Sequence, residues 1–437
     1  MSASKWKPYS SYKDSDTFAK RIPTHWNELA LKRVSSINDD TLPEDTNPMR
    51  EMCYVDIGSV SYEDGITECE EMVFEKSPSR ARRLANDGDV IVSTVRTYLK
   101  AICKIEKTTD EMVFSTGFAV VRPDNSWKKN SIGDFIVADY FVENVVANSN
   151  GVSYPAINAS DLGCLKIIQP PLDEQEKIKQ FLKTKISKMN SSISSLNTQI
   201  KRLEEKRSAL IRQAITKGLD LAVPMKDSGI DWIGDVPQHW DSKKVKFVSK
   251  IFRGKFGHRP RNDPKLYDGN YPFVQTGNVA RANKYITEYT QTLNDLGRSV
   301  SEEFPAGTIV MAIAANIGDV AILTFDACFP DSIVGFNPNP DINQEYLYYS
   351  LSALASELDK VASQSTQQNL NIELVGNLMI PVPPETEQIV IGKYISEIEQ
   401  TSSHSIEKIE ILISKIVEYR TALISATVTG KIDVRSL

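Results

Sequence analysis

Two stretches of the chain place an apolar residue at alternating steps of four and three, the spacing of one face of a supercoiled helix. This spacing over three or more heptads predicts coiled-coil packing, and two helices with one seam each most simply pack on each other. The predicted seam consists of Met189, Ile193, Leu196, Ile200, Leu203, Arg207 and Leu210 in the first stretch and Ile406, Ile409, Ile413, Ile416, Arg420 and Leu423 in the second.

The starts of the two predicted helices follow prolines. Pro171 and Pro384 stand just before them, and Asp173 and Thr386 are candidate N-caps, Asp173 with Glu176 as a capping box. Each helix runs about 45 residues, so at ~1.5 Å per residue the rod is roughly 65 Å long. The seam arginines have two interpretations. They fix register and partner choice at a cost in stability, or they reach from the seam edge to water.

The remaining apolar residues come in short runs punctuated by Gly, Pro, Asn and Asp, a pattern typical of strands and turns. The runs at 89–94, 119–121 and 308–313 predict strands. Two strand-rich parts, about 27–156 and 241–369, are called here the first and second variable domains. Their segments correspond at different offsets, so loops have changed length on one fold, which is typical of recognition domains. The corresponding segments are 54–60 with 273–279, 88–92 with 307–311, and 114–123 with 329–338.

The chain as a whole is duplicated. Residues 12–26 return at 225–240, and residues 157–220 return without a gap at 370–433. A period above 200 residues is too long for a solenoid repeat. It therefore predicts two domain-sized copies with approximate two-fold symmetry and two comparable sites.

Composition adds bounds on the class of protein. The 437 residues suffice for more than one domain, and 41% hydrophobic with 25% charged residues is ordinary for a globular protein. No apolar run approaches the ~20 residues that span a bilayer, and residues 1–14 lack the apolar core of a signal peptide, so we expect a cytoplasmic protein. The cysteines form no C-x-x-C pair and are expected to be reduced thiols: Cys53, Cys69, Cys103, Cys164 and Cys328.

Three motifs occur twice in the same order: K-D-S…P-x-H-W (13–26, 226–240), P-P-x-x-E-Q (170–175, 383–388) and R-(S/T)-A-L-I…D (207–220, 420–433). Over nearly the whole chain this order resembles the specificity subunit of type I restriction-modification systems. The resemblance implies an α+β fold, in which two β-rich target-recognition domains are joined by two long helices that form an antiparallel, pseudo-two-fold symmetric coiled coil. It divides the chain into a lead-in segment at 1–26, a target-recognition domain at 27–156, a repeated long-helix region at 157–222, a second lead-in segment at 223–240, a second target-recognition domain at 241–369 and a second long-helix region at 370–437.

The resemblance also implies partners. Each target-recognition domain would read one half of a split double-stranded DNA target, and the helices would dock two modification (methyltransferase) subunits that bind S-adenosylmethionine. Restriction subunits with translocase and nuclease activity would use ATP and magnesium, so this chain is expected to carry no cofactor of its own. The first lead-in segment lacks the Trp-Ile-Gly at 232–234 of the second, so we expect weaker local packing there.

The second variable domain contains the strongest electrostatic signal. The net charge of −6 argues against a generally basic nucleic-acid binder, but residues 243–265 hold nine Lys/Arg against one Asp, with phenylalanines interleaved. This density favours contact with DNA phosphates or guanine edges over a merely solvated strand. Asn316, in a predicted loop after a strand, could pair with an adenine edge. The candidates are Lys250, Arg253, Lys255, His258, Arg259, Arg261 and Asn316.

The first variable domain has no such run. Its segment 36–75 carries twelve Asp/Glu and one Arg, so we expect this face to turn away from DNA. Candidates for DNA contact come later, in three arginines and in the loop after the strand at 89–94, although a solvent-facing turn is the alternative for each. They are Arg80, Arg82, Arg83, Ser93, Thr94, Arg96, Tyr98 and Lys100.

Catalytic motifs are lacking. His25-Trp26 and His239-Trp240 recur without a nucleophile, carboxylate pair or cysteine cluster, which favours a structural corner. The sequence has no G-x-x-x-x-G-K-[ST] loop and no N-P-P-[YF] tetrapeptide, which disfavours ATP-driven translocation and methyl transfer by this chain. We predict a DNA reader with no catalytic residue and no metal. The alternatives are a self-contained endonuclease with two recognition domains and a coiled-coil scaffold that binds protein.

Overall fold

A computed structural model describes residues 6–61, 65–106, 112–151, 154–258, 260–355, 358 and 372–436. The chain forms two compact units. Unit 1 comprises Met1–Asn197 with Glu410–Leu437, and unit 2 comprises Thr198–Ile409. Each long helix therefore contributes its first part to one unit and its last part to the other.

Unit 1 begins with a hairpin of β1 (Tyr12–Asp14) and β2 (Arg21–Pro23). Strand β3 (Asn27–Ala30) then pairs with β14 (Lys166–Gln169), which leads into the first long helix. Where the second lead-in segment has Trp232 and Ile233, the first has Phe18, which is 53% exposed, and Ala19, so the local packing there is weaker, as expected. Trp6, Tyr9 and Tyr12, upstream of the hairpin or within it, pack on the unit 1 core.

The first variable domain contains two four-stranded sheets, in the orders β11-β10-β13-β4 and β8-β5-β12-β9. The first sheet is antiparallel, and the second includes one parallel pair, β5 with β12. Every residue of β10 is buried. The strands are β4 (Ser35–Ile37), β5 (Glu51–Val55), β6 (Val60–Ser61), β7 (Gly65–Ile66), β8 (Glu70–Val73), β9 (Ala81–Arg83), β10 (Val90–Ser93), β11 (Ile102–Lys104), β12 (Met112–Ser115) and β13 (Phe118–Pro123).

Unit 2 repeats this arrangement. Its sheets have the orders β18-β26-β23-β24-β20 and β21-β19-β25-β22, again with one parallel pair, β19 with β25, in the second sheet. The first sheet differs from its counterpart in having a fifth strand, β20, parallel to β24. The strands predicted at 89–94, 119–121 and 308–313 are confirmed as β10, β13 and β23. The strands of unit 2 are β15 (Met225–Asp227), β16 (Asp235–Pro237), β17 (Asp241–Lys244), β18 (Ser249–Arg253), β19 (Tyr267–Phe273), β20 (Tyr285–Ile286), β21 (Gln291–Leu293), β22 (Glu302–Phe304), β23 (Ile309–Ala312), β24 (Val320–Leu323), β25 (Ala327–Phe329), β26 (Ile333–Pro338) and β27 (Met379–Val382).

Helices complete both units. The two longest are α4 (Leu172–Lys217) and α10 (Glu385–Val428). The shorter ones are α1 (Ile132–Ile136), α2 (Asp139–Ala147), α3 (Ala159–Cys164), α5 (Val245–Val248), α6 (Thr276–Arg281), α7 (Asp295–Ser299), α8 (Gln344–Ala353) and α9 (Ile372–Asn377). Because α4 begins at Leu172 and α10 at Glu385, Asp173 and Thr386 lie in the first turn. The N-cap prediction is therefore wrong, and Glu176 instead pairs with Lys179 at 2.7 Å.

The two long helices follow the predicted seam. All of the predicted seam residues are half-buried or buried, whereas the positions between them are mostly exposed. In unit 1, Met189 of α4 packs on the same core as Leu423 of α10, and in unit 2, Ile211 of α4 packs on the same core as Ile391 of α10. The start of each helix thus meets the end of the other, as the predicted antiparallel coiled coil requires, and the α+β fold class is confirmed.

The seam arginine of α10 binds across the helix pair. Its Nη1 donates to Asn190 Oδ1 at 3.0 Å, within unit 1. In unit 2, Arg207 occupies the repeat-equivalent position and lines a cavity with Ser403, the repeat equivalent of Asn190. A side-chain bond between the helices is possible only in one register, which favours the register-fixing interpretation for Arg420.

The cysteines depart from expectation. Cys53 and Cys69 form a disulfide with a Cα–Cα distance of 5.5 Å, because neighbouring strands β5 and β8 bring them together. The prediction of five reduced thiols is therefore wrong for this pair, while Cys103, Cys164 and Cys328 are free. Pairing between strands that are neighbours only in the folded sheet leaves no signature in the spacing of cysteines.

A glycine ends each long-helix region in left-handed conformation against a lead-in tryptophan: Gly430 (φ +72°) near Trp26 and Gly218 (φ +73°) near Trp240. A β-carbon on Gly430 would overlap the ring of Pro23. We expect Gly430→Ala to reduce the free energy of unfolding of unit 1 by ~3 kcal/mol, as backbone strain and overlap add. Thermal unfolding should show the loss as a lower midpoint.

The matched control is Gly229→Ala. Gly229 has φ +70°, but nothing lies within 4 Å of an added β-carbon, so this variant carries the backbone strain alone. We expect it to cost about 1 kcal/mol. Equal losses for the two variants would contradict the close approach of Gly430 to Pro23.

Candidate nucleic-acid interface

The basic run of the second variable domain lies along edge strand β18 and the loop that follows it, residues 253–265, called here the basic loop. The loop is fastened to a neighbouring turn, residues 330–332. Gly254 N donates to Ile333 O at 2.8 Å, and a β-carbon on Gly254 would overlap the carbonyl oxygen of Pro330. Only glycine permits this close approach of two backbones.

Asp331, in that turn, organises the arginines of the basic loop. Its carboxylate accepts two hydrogen bonds from Arg261 Nη2, at 2.6 and 2.8 Å, and its carbonyl oxygen accepts one from Arg253 Nε at 3.5 Å. Arg253 and Lys255 remain exposed, as does Lys250, whose ammonium group lies 5.0 Å from the ring centre of Phe252. The structure therefore presents several cations on one edge.

Of two further predicted DNA contacts in the basic loop, His258 and Arg259, the structure describes only His258. His258 is half-buried, and its Nε2 lies 3.3 Å from Asp263 Oδ2. The backbone N–H of Lys265, and next the His258 side chain, lower the pKa of Asp263 below its usual range. Arg259 lies outside the described residues.

The same turn also meets the loop after β23, residues 313–318, the second strand-end loop. Ile313 N donates to Ser332 O at 2.9 Å. The loop then bends at Ala315, whose φ is +61°, and Asn316 is exposed beside it. Asn316 and the basic loop, two separate candidates in the sequence, are thus brought to one edge through residues 330–332.

The first variable domain builds the same edge. Residues 94–100, the first strand-end loop, follow β10, and Thr94 N donates to Gly117 O at 2.8 Å in the turn at 115–117. Arg96, which lies 219 residues before Ala315, also has a left-handed backbone, with φ +51°. In the same turn Thr116 N donates to Arg80 O at 2.7 Å. Arg80 and the loop are therefore neighbours.

The other predicted DNA contacts of the first variable domain differ in exposure: some are buried or bonded to neighbouring residues, and others are exposed. Ser93 is buried and donates to Val95 O at 2.6 Å, and Lys100 pairs with Glu143 at 2.9 Å, so both shape the loop. Arg82 stacks on Phe74 at 4.7 Å, and burial lowers the pKa of Arg83. Tyr98 and Arg96 are exposed at the tip of the loop.

The two domains differ in charge at one place. Strand β4 pairs with β13 as β18 pairs with β26, so the segment that follows β4 and contains Asp39 and Asp40 corresponds to the basic loop that follows β18. Next to Asp39, Arg122 binds Asp89 at 2.8 Å and Asp40 at 2.5 Å, and these bonds raise the pKa of its guanidinium. The first domain thus has carboxylates where the second has its basic loop.

The His-Trp pairs are structural corners, as predicted. Glu174, in the first turn of α4, accepts from Trp26 Nε1 at 2.9 Å and Tyr9 Oη at 2.6 Å and lies 2.7 Å from His25 Nε2. In unit 2, Glu387 accepts from Trp240 Nε1 at 3.0 Å and lies 2.7 Å from His239 Nε2.

The glutamine of each P-P-x-x-E-Q motif completes the corner. Gln175 Nε2 donates to Pro170 O at 2.9 Å, and its Oε1 accepts from Lys128 N at 2.8 Å. Gln388 makes the corresponding bonds to Pro383 O and Asn343 N. Sequence reasoning missed the roles of this glutamate and glutamine, although their recurrence with His-Trp in both copies was the available signal.

Within the described ranges, no group of three or more His, Cys, Asp or Glu side chains could hold a metal ion. Among the same residues, no helix is both long enough and apolar enough to cross a membrane.

A comparison with known families identifies the repeated domain. The family model for the type I restriction modification DNA specificity domain matches residues 26–202 and again residues 237–413. The chain belongs to this family and carries two copies of its domain, which confirms the resemblance inferred from the duplicated motifs.

Individual relatives span most of the chain. The HindI specificity subunit of Haemophilus influenzae is 22% identical over 473 residues, covering 93% of this chain and 99% of the relative. The putative MjaX specificity subunit of Methanocaldococcus jannaschii is 22% identical and covers 80% of this chain and 79% of the relative.

Solved structures share the fold. One is a chain from a study of complex assembly and conformational transition of the type I R-M system, with a TM-score of 0.72 and 21% identity, covering 94% of this chain and 99% of that one. The HsdS subunit from Thermoanaerobacter tengcongensis has a TM-score of 0.51 and 21% identity, covering 94% and 98%.

Proposed function

We propose that the chain is the non-catalytic, sequence-reading subunit of a type I restriction-modification complex. Each variable domain binds one half of a bipartite double-stranded DNA target through its strand-end loop and the neighbouring turn. The observation that carries this proposal is an edge built twice with one corresponding backbone hydrogen bond, Thr94 N to Gly117 O and Ile313 N to Ser332 O, and with a left-handed residue at the same place, but with different side chains. A fixed scaffold with exchanged loop residues is how one fold reads different sequences.

The partner subunits follow from family membership. We propose that the long helices dock two methyltransferase subunits, which bind S-adenosylmethionine, and that restriction subunits supply ATP-driven translocation and magnesium-dependent cleavage. The chain itself supplies DNA contacts and spacing. Its own residues support this division, because the repeated His-Trp pairs are occupied in structural hydrogen bonds to Glu174 and Glu387.

The basic loop provides the test of DNA binding. We expect Arg253→Glu with Lys255→Glu to weaken binding of the assembled complex to its target. Two lost phosphate contacts should also reduce the slope of log affinity against log salt by about two. Fluorescence anisotropy with a labelled duplex at several salt concentrations measures both quantities.

The matched control, Lys20→Glu with Lys76→Glu, reverses the charge of two exposed lysines outside the basic loop. It changes the net charge by the same amount as the basic-loop variant. We expect this control to keep the wild-type salt slope. Equal slopes in wild type and the basic-loop variant would exclude the basic loop as a DNA contact. Cleavage of DNA by the purified chain with magnesium alone would contradict the non-catalytic role.

A further inference from the structure

The first strand-end loop exposes large apolar side chains, whereas the second exposes small and polar ones. Val95, Tyr98 and Leu99 are 38%, 51% and 50% exposed. Tyr154, 65% exposed, is held beside them, and the guanidinium of Arg96 lies 4.9 Å from the centre of its ring. The corresponding residues of the second domain are Ala314-Ala315-Asn316-Ile317, of which Ile317 is half-buried against the core of unit 2. Large apolar side chains exposed together on one loop mark a binding surface.

The loop is already ordered for binding. The Thr94 hydroxyl donates to Gly117 O at 2.8 Å, and the Thr97 hydroxyl donates to Ser149 Oγ at 2.8 Å. Ile157 N donates to Thr94 O at 2.9 Å, which joins the segment after Tyr154 to the loop. A loop held at both ends loses little conformational entropy when a ligand binds.

The position of the loop identifies the ligand. It occupies the same edge of its domain as the second strand-end loop, which adjoins the basic loop, and it carries a cation, Arg96, at the bend. The edges of bases in the major groove offer one strongly apolar group, the C5 methyl of thymine, and apolar side chains are its usual contacts. Duplex DNA therefore fits this surface through thymine methyl groups.

We propose that Val95, Tyr98 and Leu99 read thymine methyl groups in the half-site of the first variable domain, with Tyr154 and Arg96 supporting the loop. This inference rests on the proposed function and adds the chemistry of one half-site. The second variable domain, which lacks these side chains, reads its half-site by hydrogen bonds and phosphate contacts.

Deoxyuridine substitution tests the proposal, because uracil differs from thymine only by the missing methyl. The full chain is assembled with its methyltransferase subunits, and the target is identified from methylated adenines in the host genome. Thymines are then replaced by deoxyuridine in each half-site separately. We expect affinity to fall roughly fourfold for each contacted methyl in one half-site, and to stay unchanged in the other.

The variants assign the effect to the loop. Leu99→Ala and Tyr98→Ala should reduce the preference for thymine over uracil in the sensitive half-site. The control Met49→Ala removes a side chain that is 68% exposed elsewhere in the same domain, and it should keep the full preference.

Several outcomes would overturn the proposal. Equal binding of thymine and uracil in both half-sites would do so, as would full discrimination by the Leu99→Ala variant. Loss of methyltransferase subunits from Leu99→Ala, with discrimination unchanged, would assign the surface to a protein contact instead. If the wild-type complex fails to bind the target identified from the methylated adenines, both the proposed function and this inference are wrong. Binding without methyl discrimination overturns this inference alone.

Discussion

A half-chain of residues 1–222, assembled with methyltransferase subunits, is expected to form a symmetric dimer and to methylate an inverted repeat of the first half-site. Unit 1 requires a helix end that the half-chain lacks, namely Glu410–Leu437. Residues 198–222 of a second copy are the repeat of that segment, so two half-chains complete each other. Sedimentation and sequencing of methylated adenines measure the two results.

Two contacts make the exchange of helix ends specific. Arg207 would replace Arg420 as the donor to Asn190 Oδ1, now 3.0 Å from Arg420 Nη1. Gly218 would replace Gly430 behind Trp26, since both glycines have nearly the same left-handed φ, +73° and +72°. The control is a half-chain that ends at residue 197. It lacks the helix end and should not dimerise. A monomeric 1–222 fragment, or the absence of methylated palindromes, would contradict the two-fold architecture.

The corner built by Glu174 is expected to be the most sensitive single position of unit 1. Glu174→Ala leaves Trp26 Nε1, Tyr9 Oη and His25 Nε2 without their shared partner. The Glu174 side chain is only 4% exposed, so the freed groups of the buried Trp26 and Tyr9 lie away from bulk water, whereas His25 is 39% exposed. Burial, then the hydrogen bond to Glu174, raises the pKa of Tyr9 well above its ordinary value, so the phenol remains a donor. We expect unit 1 to lose ~3–5 kcal/mol of stability.

The repeat supplies the control. Glu387→Ala removes the shared partner of Trp240 Nε1 and His239 Nε2 in unit 2. The Glu387 side chain is 42% exposed, so water can solvate these two groups. We expect a loss of about 1 kcal/mol. Native-state hydrogen exchange resolves the two units separately, through β1–β3 for unit 1 and β15–β17 for unit 2. Similar losses for the two variants would show that burial of the glutamate does not decide its contribution.

The architecture follows from local patterns and repetition. The seam residues, the strands at β10, β13 and β23, and the pairing of two distant variable domains could all be predicted, because periodicity and duplication are properties of the linear chain. The resemblance carried by the duplicated motifs was confirmed for the same reason. Two of the failures were local. Asp173 and Thr386 are not N-caps, and helix ends depend on contacts that propensity does not contain.

The candidate site shows a different division. Sequence indicated most of its side chains, including the basic loop, Asn316, Arg80 and Arg96, from charge and from their positions after strands. It could not show that the turns at 115–117 and 330–332 bring them together, because those hydrogen bonds join residues far apart in the chain. The sequence also could not show that the apolar side chains of Val95, Leu99 and Tyr154 are exposed together, since side-chain exposure depends on which residues pack around them in the folded domain.

The sequence by itself therefore determined two copies, one helical seam, two strand-rich variable domains and a family. Tertiary structure alone decided the partners of Glu174 and Glu387, the disulfide of Cys53 with Cys69, and which loop residues face solvent. The physical reason is the range of the interactions. Helix seams, strands and repeats are encoded between near neighbours or by direct repetition, whereas hydrogen bonds and burial between distant segments exist only once the sheets and helices have packed.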